Sequence, residues 1–341
     1  MEWLDLNSIW YILVGVLFSG YAILDGFDLG VGALHLFTKG DTHRRLMINA
    51  IGPVWDGNEV WLVTGGGALF AAFPIVYATA FSGFYIALML LLFALIFRAV
   101  AIEFRSKKPE AGWRKTWDTS FSISSVLSAL LIGVALGNIA RGVPLDSAGE
   151  FAGTFWGLLN PYAILVGLTT VALFAMHGAI YILLKTEGDL HDLVRSWINR
   201  LILIFITFYV LTSVATILFM PLMTEAFRQS PILFVLPLLN ALAIANIPRE
   251  VHHGRDWRAF LSSCFSMIFL LTIFGIGMYP YLIHSIPNPE HSLDIYNASS
   301  SQKTLKIMLI IALIGMPLVI AYTTAIYRIF RGKVRLDASS Y

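Results

Sequence analysis

The sequence predicts an all-α integral membrane protein with about nine transmembrane helices, built as two four-helix bundles and one peripheral helix. The N-terminus is predicted to lie outside and the C-terminus in the cytoplasm. Three observations support this fold: scarce charge, nine apolar stretches of membrane-spanning length, and an uneven distribution of Lys and Arg. Of 341 residues, 57% are hydrophobic and 13% are charged, whereas a soluble domain carries about 25% charged residues.

Charge and cysteine content exclude several classes of protein. The formal net charge of +2 gives no basic surface of the kind that binds nucleic acid. The single cysteine, Cys264, cannot form an intrachain disulfide or a CxxC metal pair. The first residues lack the positive segment that begins a cleaved signal peptide, so the first apolar stretch is predicted to be retained as a helix.

Nine apolar stretches are long enough to cross a membrane, since crossing takes about 17–25 mostly apolar residues. The predicted spans are 8–35, 51–73, 79–101, 119–140, 161–184, 200–221, 231–247, 258–281 and 305–328. The seventh is short and contains Pro237. Without it the count would be eight and the C-terminus would change side.

The distribution of Lys and Arg tests this count. With the N-terminus outside, 18 of the 23 Lys and Arg residues fall in segments facing the cytoplasm, and four fall in outer segments. This is the asymmetry that the positive-inside rule describes. An eight-helix arrangement would move the basic residues from Arg328 to Arg335 outside, and the asymmetry would weaken.

A faint internal repeat divides the chain. NSIWYILVG begins at Asn7 and NPYAILVG at Asn160, while GDTH at 40–43 is echoed by GDLH at 188–191. We interpret the chain as a single integral membrane domain, 1–341, in which halves of about 1–150 and 151–281 precede a last helix at about 305–328. A repeat with an even number of helices runs parallel. Chance similarity between apolar segments is the alternative.

Ionisable residues within the predicted spans are the candidate functional groups, since a charge in hydrocarbon costs about 2.5–3.5 kcal/mol on insertion scales. The first span contains LDGFDLG, which places Asp25 and Asp28 on neighbouring parts of one helix face. The second opens with PVWDGNEVW, in which Asp56 and Glu59 repeat the three-residue spacing. Arg98, near the inner end of the third span, is the natural partner for one of these acids.

Two interpretations of these acids stay open. In the first, they form a proton relay from the cytoplasm into the membrane, because buried carboxyls can hold and pass protons. In the second, they are structural: Arg98 neutralises one acid, and Asp56 caps its helix with Glu59 completing the cap. Asp25 is the best relay candidate because it lies furthest from any predicted helix end.

No haem or metal site is predicted on this chain. Of the eight histidines, only His177 lies well within a span. Bis-histidine ligation of haem needs two opposed ligands at similar depth. The pair His252 and His253 lies in a basic loop with few carboxylates, so a metal cluster there is disfavoured. We interpret His177 as a hydrogen-bonded core residue.

Several long motifs resemble subunit II of bacterial cytochrome bd quinol oxidase. They are LDGFDLGVG, INAIGPVWDGNEVW, GGALFAAFPIVYATAFSGFY, FRAVAIEFRSK, GVALGNIARGVP and LLNPYAILVG, and they extend through essentially the whole chain. The resemblance implies a non-haem subunit of a bacterial plasma-membrane complex that reduces dioxygen to water with membrane quinol. It also implies a heterodimer with a haem-bearing subunit I, which carries haem b and haem d.

The resemblance suggests roles for individual residues and for further partners. Asp25 and Asp56 match acids in the family's LDGFD-type and WDGN motifs. The predicted proton-pathway residues are Asp25, Asp56, Asp28 and Glu59, and the predicted supporting residues are Trp55, Asn58 and Arg98. A small single-helix subunit and membrane lipid are further expected partners, and no cofactor is expected on this chain.

Two other functions compete with an oxidase subunit that scaffolds its partner and conducts protons. A stand-alone secondary transporter would also have intramembrane acids, glycine-rich helices and a parallel repeat. It would move solute without a partner chain. A purely structural subunit would tolerate acid-to-amide substitutions or lose assembly, but its assembled complex would keep its turnover.

Overall fold

Between residues 5 and 336, the part of the chain that the computed structural model describes, almost every segment is helical. The helices are α1 (Leu6–His35), α2 (Asp41–Ile51), α3 (Trp55–Ala72), α4 (Pro74–Gly83), α5 (Tyr85–Phe104), α6 (Ala111–Arg141), α7 (Phe155–Leu158), α8 (Pro161–Lys185), α9 (Asp189–Phe219), α10 (Pro221–Gln229), α11 (Val235–His252), α12 (Asp256–Met278) and α13 (Gln302–Ile329). Two short strands, β1 (Tyr281–Ile283) and β2 (Leu293–Asp294), pair antiparallel. Single 3₁₀ turns lie at Arg105–Lys107, Pro231–Phe234 and Pro289–His291.

Eight helices within the described range are long and apolar enough to cross a membrane. They are α1, α5, α6, α8, α9, α11, α12 and α13, where α5 and α11 each include the adjoining 3₁₀ turn. The short seventh stretch of the prediction is α11 and is one of the eight. The second predicted span is α3, whose first turns are too polar to meet the same criterion. The count of nine therefore stays a prediction.

Helix α3 nevertheless runs antiparallel to its neighbour α1. Near its start, Asn58 Nδ2 donates to the carbonyl of Leu24 at 3.3 Å. Further along, Gly65 lies against the ring of Phe18. As α3 advances, its contacts on α1 therefore step back toward the N-terminus of α1.

The centre of the molecule is formed by α1, α6 and α8, each of which packs against the other two. Around them, α3 packs on α1, α5 on α6, α9 and α12 on α8, and α11 on α12. The main chains of α1 and α8 are in contact at Gly30 and Gly178. Small residues permit this approach between membrane helices. The helices of both predicted halves meet here, and their division into two four-helix bundles stays a prediction.

Helix α13 is peripheral, as the sequence predicts for the last helix. Only Leu305 of its residues is buried. At its start, the indole of Trp10 donates to the carbonyl of Leu305 at 2.9 Å. At its end, Lys185 Nζ donates to the carbonyl of Phe330 at 2.6 Å. The helix is thus held at both ends and along one side.

The loops predicted to face the cytoplasm lie together at one end of the helices. Arg105 Nη2 donates to Asp41 at 2.8 Å and joins the α5–α6 connection to α2. The hydroxyl of Tyr181 on α8 donates to the carbonyl of Ala50 at 3.1 Å and joins α8 to the same region. We call this the basic end; it comprises 36–54, 105–110, 186–188, 253–255 and 330–336.

Two local features recur in the predicted halves. Gly40 and Gly188 precede α2 and α9, and both have positive φ, at 87° and 69°. Pro74 and Pro221 begin α4 and α10 directly after a break in the preceding helix. The halves differ because a turn containing Pro53 separates α2 from α3, whereas α9 is continuous. These features support the repeat, which remains a prediction.

The third span is displaced from its predicted position. The sequence places it at 79–101, whereas α4 ends at Gly83 and the span runs over 85–107. The backbone leaves helical geometry at Phe84, and the ring of Phe151 lies against Gly83. The break therefore lies beside a distant loop, and the apolar pattern on both sides of it gives no signal for it.

Candidate functional site

A buried arginine joins α1, α3 and α5. Arg98 Nη1 lies 2.7 Å from Asp25 Oδ1, and Arg98 Nη2 lies 3.0 Å from Glu59 Oε2. Arg98 and Asp25 have no exposed surface, while the side chain of Glu59 is 22% exposed. The predicted pairing of Arg98 with an intramembrane acid is therefore present, and it involves two acids from different helices.

The depth of this group follows from helix geometry. Asp25 lies ten residues before His35, the end of α1, which is about 15 Å along the helix axis. Arg98 lies six residues before Phe104, the end of α5, which is about 9 Å along the axis. The ion pairs thus lie inside apolar helices but nearer the basic end than the opposite end.

Asp28 belongs to the same buried group but has a different partner. It follows Asp25 by one helical turn on α1, and its Oδ2 accepts a hydrogen bond from Asn58 Nδ2 at 2.8 Å. Tyr327 of α13 donates in turn to Asn58 Oδ1 at 2.9 Å. The amide of Asn58 thereby links α13 to Asp28. Tyr327 was not among the residues that the sequence singled out.

The group contains more buried polar atoms than the described residues satisfy. Asp28 Oδ1 and Arg98 Nε have no hydrogen-bond partner within residues 5–336. Three carboxyl groups surround one guanidinium, so full ionisation would leave net negative charge in the membrane, where charge is costly. A proton held on one of these carboxyl groups would lower that net charge.

The structure places Asp56 apart from this buried group. Asp56 is exposed in the first turn of α3, and the N-cap of that helix is Val54, with no side-chain hydrogen bond to the cap. The interpretation of Asp56 and Glu59 as a helix cap is therefore wrong. Asp56 precedes Glu59 by one turn, so the two carboxyl groups share one side of α3. Trp55 is partly buried and packs against the main apolar core.

A second group of buried charges closes the basic end, and sequence reasoning did not find it. Asp118 Oδ1 lies 2.6 Å from His35 Nε2 and 2.5 Å from Arg105 Nε, and Asp118 Oδ2 lies 2.9 Å from Arg44 Nη1. Asp41 extends the group through its 2.8 Å contact with Arg105. These contacts fasten α1, α2, α5 and α6 to one another, and we assign them a structural role.

His177 does not fit an axial haem ligand. Its Nδ1 lies 2.7 Å from Ser263 Oγ, and its Nε2 lies 3.0 Å from the carbonyl oxygen of Ile23. The ring also stacks on Phe260 at 5.1 Å. Coordination of haem iron by either ring nitrogen would break one of these two hydrogen bonds. In the part of the chain that the structure describes, no three His, Cys, Asp or Glu side chains are grouped as metal ligands, and a haem-free chain remains a prediction.

The Tyr327→Phe variant tests the link between α13 and Asn58. We expect the free energy of unfolding to fall by about 1–3 kcal/mol, because the buried Asn58 Oδ1 loses its donor. Denaturant titration of the purified complex would measure the change. Tyr322→Phe on the same helix is the matched control, since Tyr322 is 66% exposed. Equal free energies of unfolding for the two variants would contradict a stabilising hydrogen bond between Tyr327 and Asn58.

Comparison with known sequences identifies related proteins along nearly the whole chain. A sequence model of the family described as cytochrome bd terminal oxidase subunit II matches residues 6–330. The chain is 37% identical to Cytochrome bd-I ubiquinol oxidase subunit 2 of Escherichia coli (strain K12), over 96% of this chain and 95% of that protein. It is 35% identical to Cytochrome bd ubiquinol oxidase subunit 2 of Bacillus subtilis (strain 168), over 97% of each chain.

A solved structure has the same fold. A chain in the structure of bd oxidase from Geobacillus thermodenitrificans superposes with a TM-score of 0.80, over 95% of this chain and 98% of that one. The sequence identity in this pair is 17%. At that identity the likeness supports the fold alone.

Proposed function

Because the chain belongs to the family of cytochrome bd terminal oxidase subunit II, we propose that it is the haem-free subunit that stabilises its partner and helps to supply protons. Membership makes it a subunit of a quinol:oxygen oxidoreductase and a multi-pass protein of the bacterial inner membrane. The family comparisons favour this function over a stand-alone transporter. The observation that carries the proton role is the buried group of Asp25, Asp28, Glu59 and Arg98.

We assign the basic end to the cytoplasm, so that the N-terminus lies outside and the C-terminus inside. The excess of Lys and Arg in the loops at this end supports the assignment. The partly exposed Glu59 then lies on the cytoplasmic side of the membrane, next to Arg98. Protons would enter past Asp56 and Glu59 and reach the buried Asp25 and Asp28 between α1 and α3.

The outer face of α3 is assigned to the haem-bearing subunit I. Asp56 is exposed on it, and an exposed carboxylate beside lipid is costly. Side chains added at Gly57, Gly66 or Gly67 would meet open space, so a neighbouring helix could approach closely there. This contact would bring the proton group of this chain next to the partner.

The haems are assigned to the partner, where haem b and haem d would carry electrons from quinol to dioxygen. Reducing dioxygen to water consumes protons, and this chain would deliver them from the cytoplasmic side. Its carboxyl groups hold and pass protons, and Arg98 keeps them in place between three helices. A small single-helix subunit stays a proposed further partner.

The Asp28→Asn variant tests the proton role with little disturbance of the fold. Asparagine keeps an oxygen that can accept the bond from Asn58, but it cannot carry a proton. We expect quinol-dependent oxygen consumption per haem to fall at least about tenfold, since a positioned proton-transfer group contributes about 10²–10⁴-fold. Glu225→Gln, an exposed acid on α10, is the control. Unchanged turnover of Asp28→Asn at full haem content would leave Asp28 with only a structural role.

A tagged chain isolated from detergent-solubilised membranes tests the assignment of partner and haem. The preparation should contain a second large subunit and show haem b and haem d bands in a reduced-minus-oxidised spectrum. Those bands should disappear when the partner is stripped away. A colourless single chain would contradict the heterodimer, and bands retained by the isolated chain would contradict the haem assignment.

A further inference from the structure

A groove of about 490 Å³ opens between α11 and α12, away from the Arg98 group. Its residues on α11 recur at intervals of three and four, which places them on one face of the helix. The lining residues used here are Leu242, Ala245, Asn246, Arg249, Ser262 and Phe265. Arg249 lies in the last turn of α11 at the basic end, so the groove is cationic at one end and apolar along the rest.

The polar atoms in the floor of the groove are bonded within the protein. Asn246 Nδ2 donates to Ser262 Oγ at 2.9 Å, and Ser262 Oγ donates to the carbonyl of Arg258 at 2.9 Å. Arg249 Nη1 lies 3.4 Å from Asn246 Oδ1 and 3.9 Å from Glu250 Oε1, yet the Arg249 side chain stays 68% exposed. The guanidinium of Arg249 is therefore the group in the groove that is open to a ligand.

The surface around the mouth of the groove is positively charged. The side chains of Arg249 and Arg255 are 68% and 51% exposed, and Arg258 is also exposed. The two acids of this segment are turned inward: the side chains of Glu250 and Asp256 are only 4% and 16% exposed. The single carboxylate of Glu250 lies 3.9 Å from Arg249 and 3.8 Å from Arg255, so two arginines share it. With Arg258, the three guanidinium groups exceed the two acids, and the groove mouth keeps a positive charge that complements an anionic group.

We propose that this groove binds one anionic phospholipid from the leaflet at the basic end. The phosphate lies against Arg249, and an acyl chain lies along Leu242, Ala245 and Phe265. From Leu242 to Arg249 the groove extends about 10 Å, enough for the upper part of an acyl chain. A basic pocket between membrane helices is the arrangement that recognises anionic headgroups. An uncharged quinone would fill the apolar part but leave the guanidinium without an anion. A zwitterionic lipid also offers a phosphate, but its ammonium group would meet the surrounding arginines unfavourably.

The Arg249→Gln variant of the assembled complex tests headgroup recognition. Wild-type complex in neutral detergent is titrated with palmitoyl-oleoyl phosphatidylglycerol and with palmitoyl-oleoyl phosphatidylcholine, and bound lipid is counted by native mass spectrometry. We expect wild type to prefer phosphatidylglycerol, and Arg249→Gln to weaken phosphatidylglycerol binding about fivefold and phosphatidylcholine binding by less, so that the preference falls. Lys107→Gln, an exposed charge elsewhere at the basic end, should change neither. Equal binding of the two lipids by wild type, or unchanged binding in Arg249→Gln, would overturn the proposal.

A second variant tests the apolar part of the groove. Ala245 is exposed on α11, so Ala245→Phe fills the groove without entering the core. We expect it to weaken binding of both lipids. A photo-crosslinking amino acid at position 245 should label phospholipid in native membranes. Exclusive crosslinking to another polypeptide would mean that a protein covers the groove, and the proposal would fail.

Discussion

Replacing Gly30 by alanine is expected to force α1 and α8 apart and to lower sharply the amount of folded protein in the membrane. A Cβ atom at Gly30 would overlap the main-chain carbonyl of Phe174 and lie 2.9 Å from the nitrogen of Gly178. Main-chain atoms of a helix cannot rotate away as a side chain can. Overpacking against side chains destabilises a protein by about 1–3 kcal/mol. We expect a larger loss of stability here, because the overlapping atoms belong to the main chain. The level of haem-bearing complex in membranes, measured spectroscopically, should fall at least about tenfold.

Gly15→Ala is the matched control for this substitution. Gly15 lies on the same helix, and a Cβ atom there would have no neighbour within 4 Å. Alanine favours helix over glycine by about 1 kcal/mol, so complex levels should equal or exceed those of wild type. Similar levels of complex in Gly30→Ala and Gly15→Ala would contradict the close packing of α1 and α8.

Replacing Arg98 by methionine is the second substitution with a large expected effect. Methionine fills similar space but leaves Asp25 and Glu59 without their cation. Breaking a buried ion pair by removing one partner costs about 3–5 kcal/mol, because the remaining charge is uncompensated. We expect the assembled complex to fall to a small fraction of its wild-type level, measured by immunoblot of the tagged chain and by haem content.

Restoring charge balance distinguishes an electrostatic role from simple packing. Adding Asp25→Asn and Glu59→Gln to Arg98→Met removes the uncompensated charges and should recover part of the lost complex. The recovered complex should still turn over slowly, because two of its proton-carrying groups are gone. Full accumulation of the single variant Arg98→Met would show that the ion pairs contribute little to folding.

The class of protein and the pairing of Arg98 with intramembrane acids could be predicted from the sequence. Spans can be located from length and apolarity because the membrane constrains both. An arginine and several acids in such spans must find one another, since charge in hydrocarbon is costly. Asp25 and Glu59 could therefore be named as candidates before any contact was known.

Other features depend on tertiary contacts that local patterns do not encode. The spacing of Asp56 and Glu59 matches that of Asp25 and Asp28, yet Asp56 is exposed while Glu59 reaches Arg98, because spacing along one helix does not determine where a neighbouring helix begins to cover it. Tyr327 lies 269 residues from Asn58 along the chain. Its hydrogen bond depends on where α13 lies against the other helices, and helix periodicity carries no information on that placement.

The most direct test of the account is proton uptake by the Asp28→Asn complex in proteoliposomes with a pH-sensitive dye on the cytoplasmic side. Mixing the reduced enzyme with oxygen starts the reaction. Haem content is measured on the same sample. The account predicts normal haem bands and proton uptake at least about tenfold slower than in wild type. Uptake at the wild-type rate, with full haem content, would contradict a role of this carboxyl group in supplying protons.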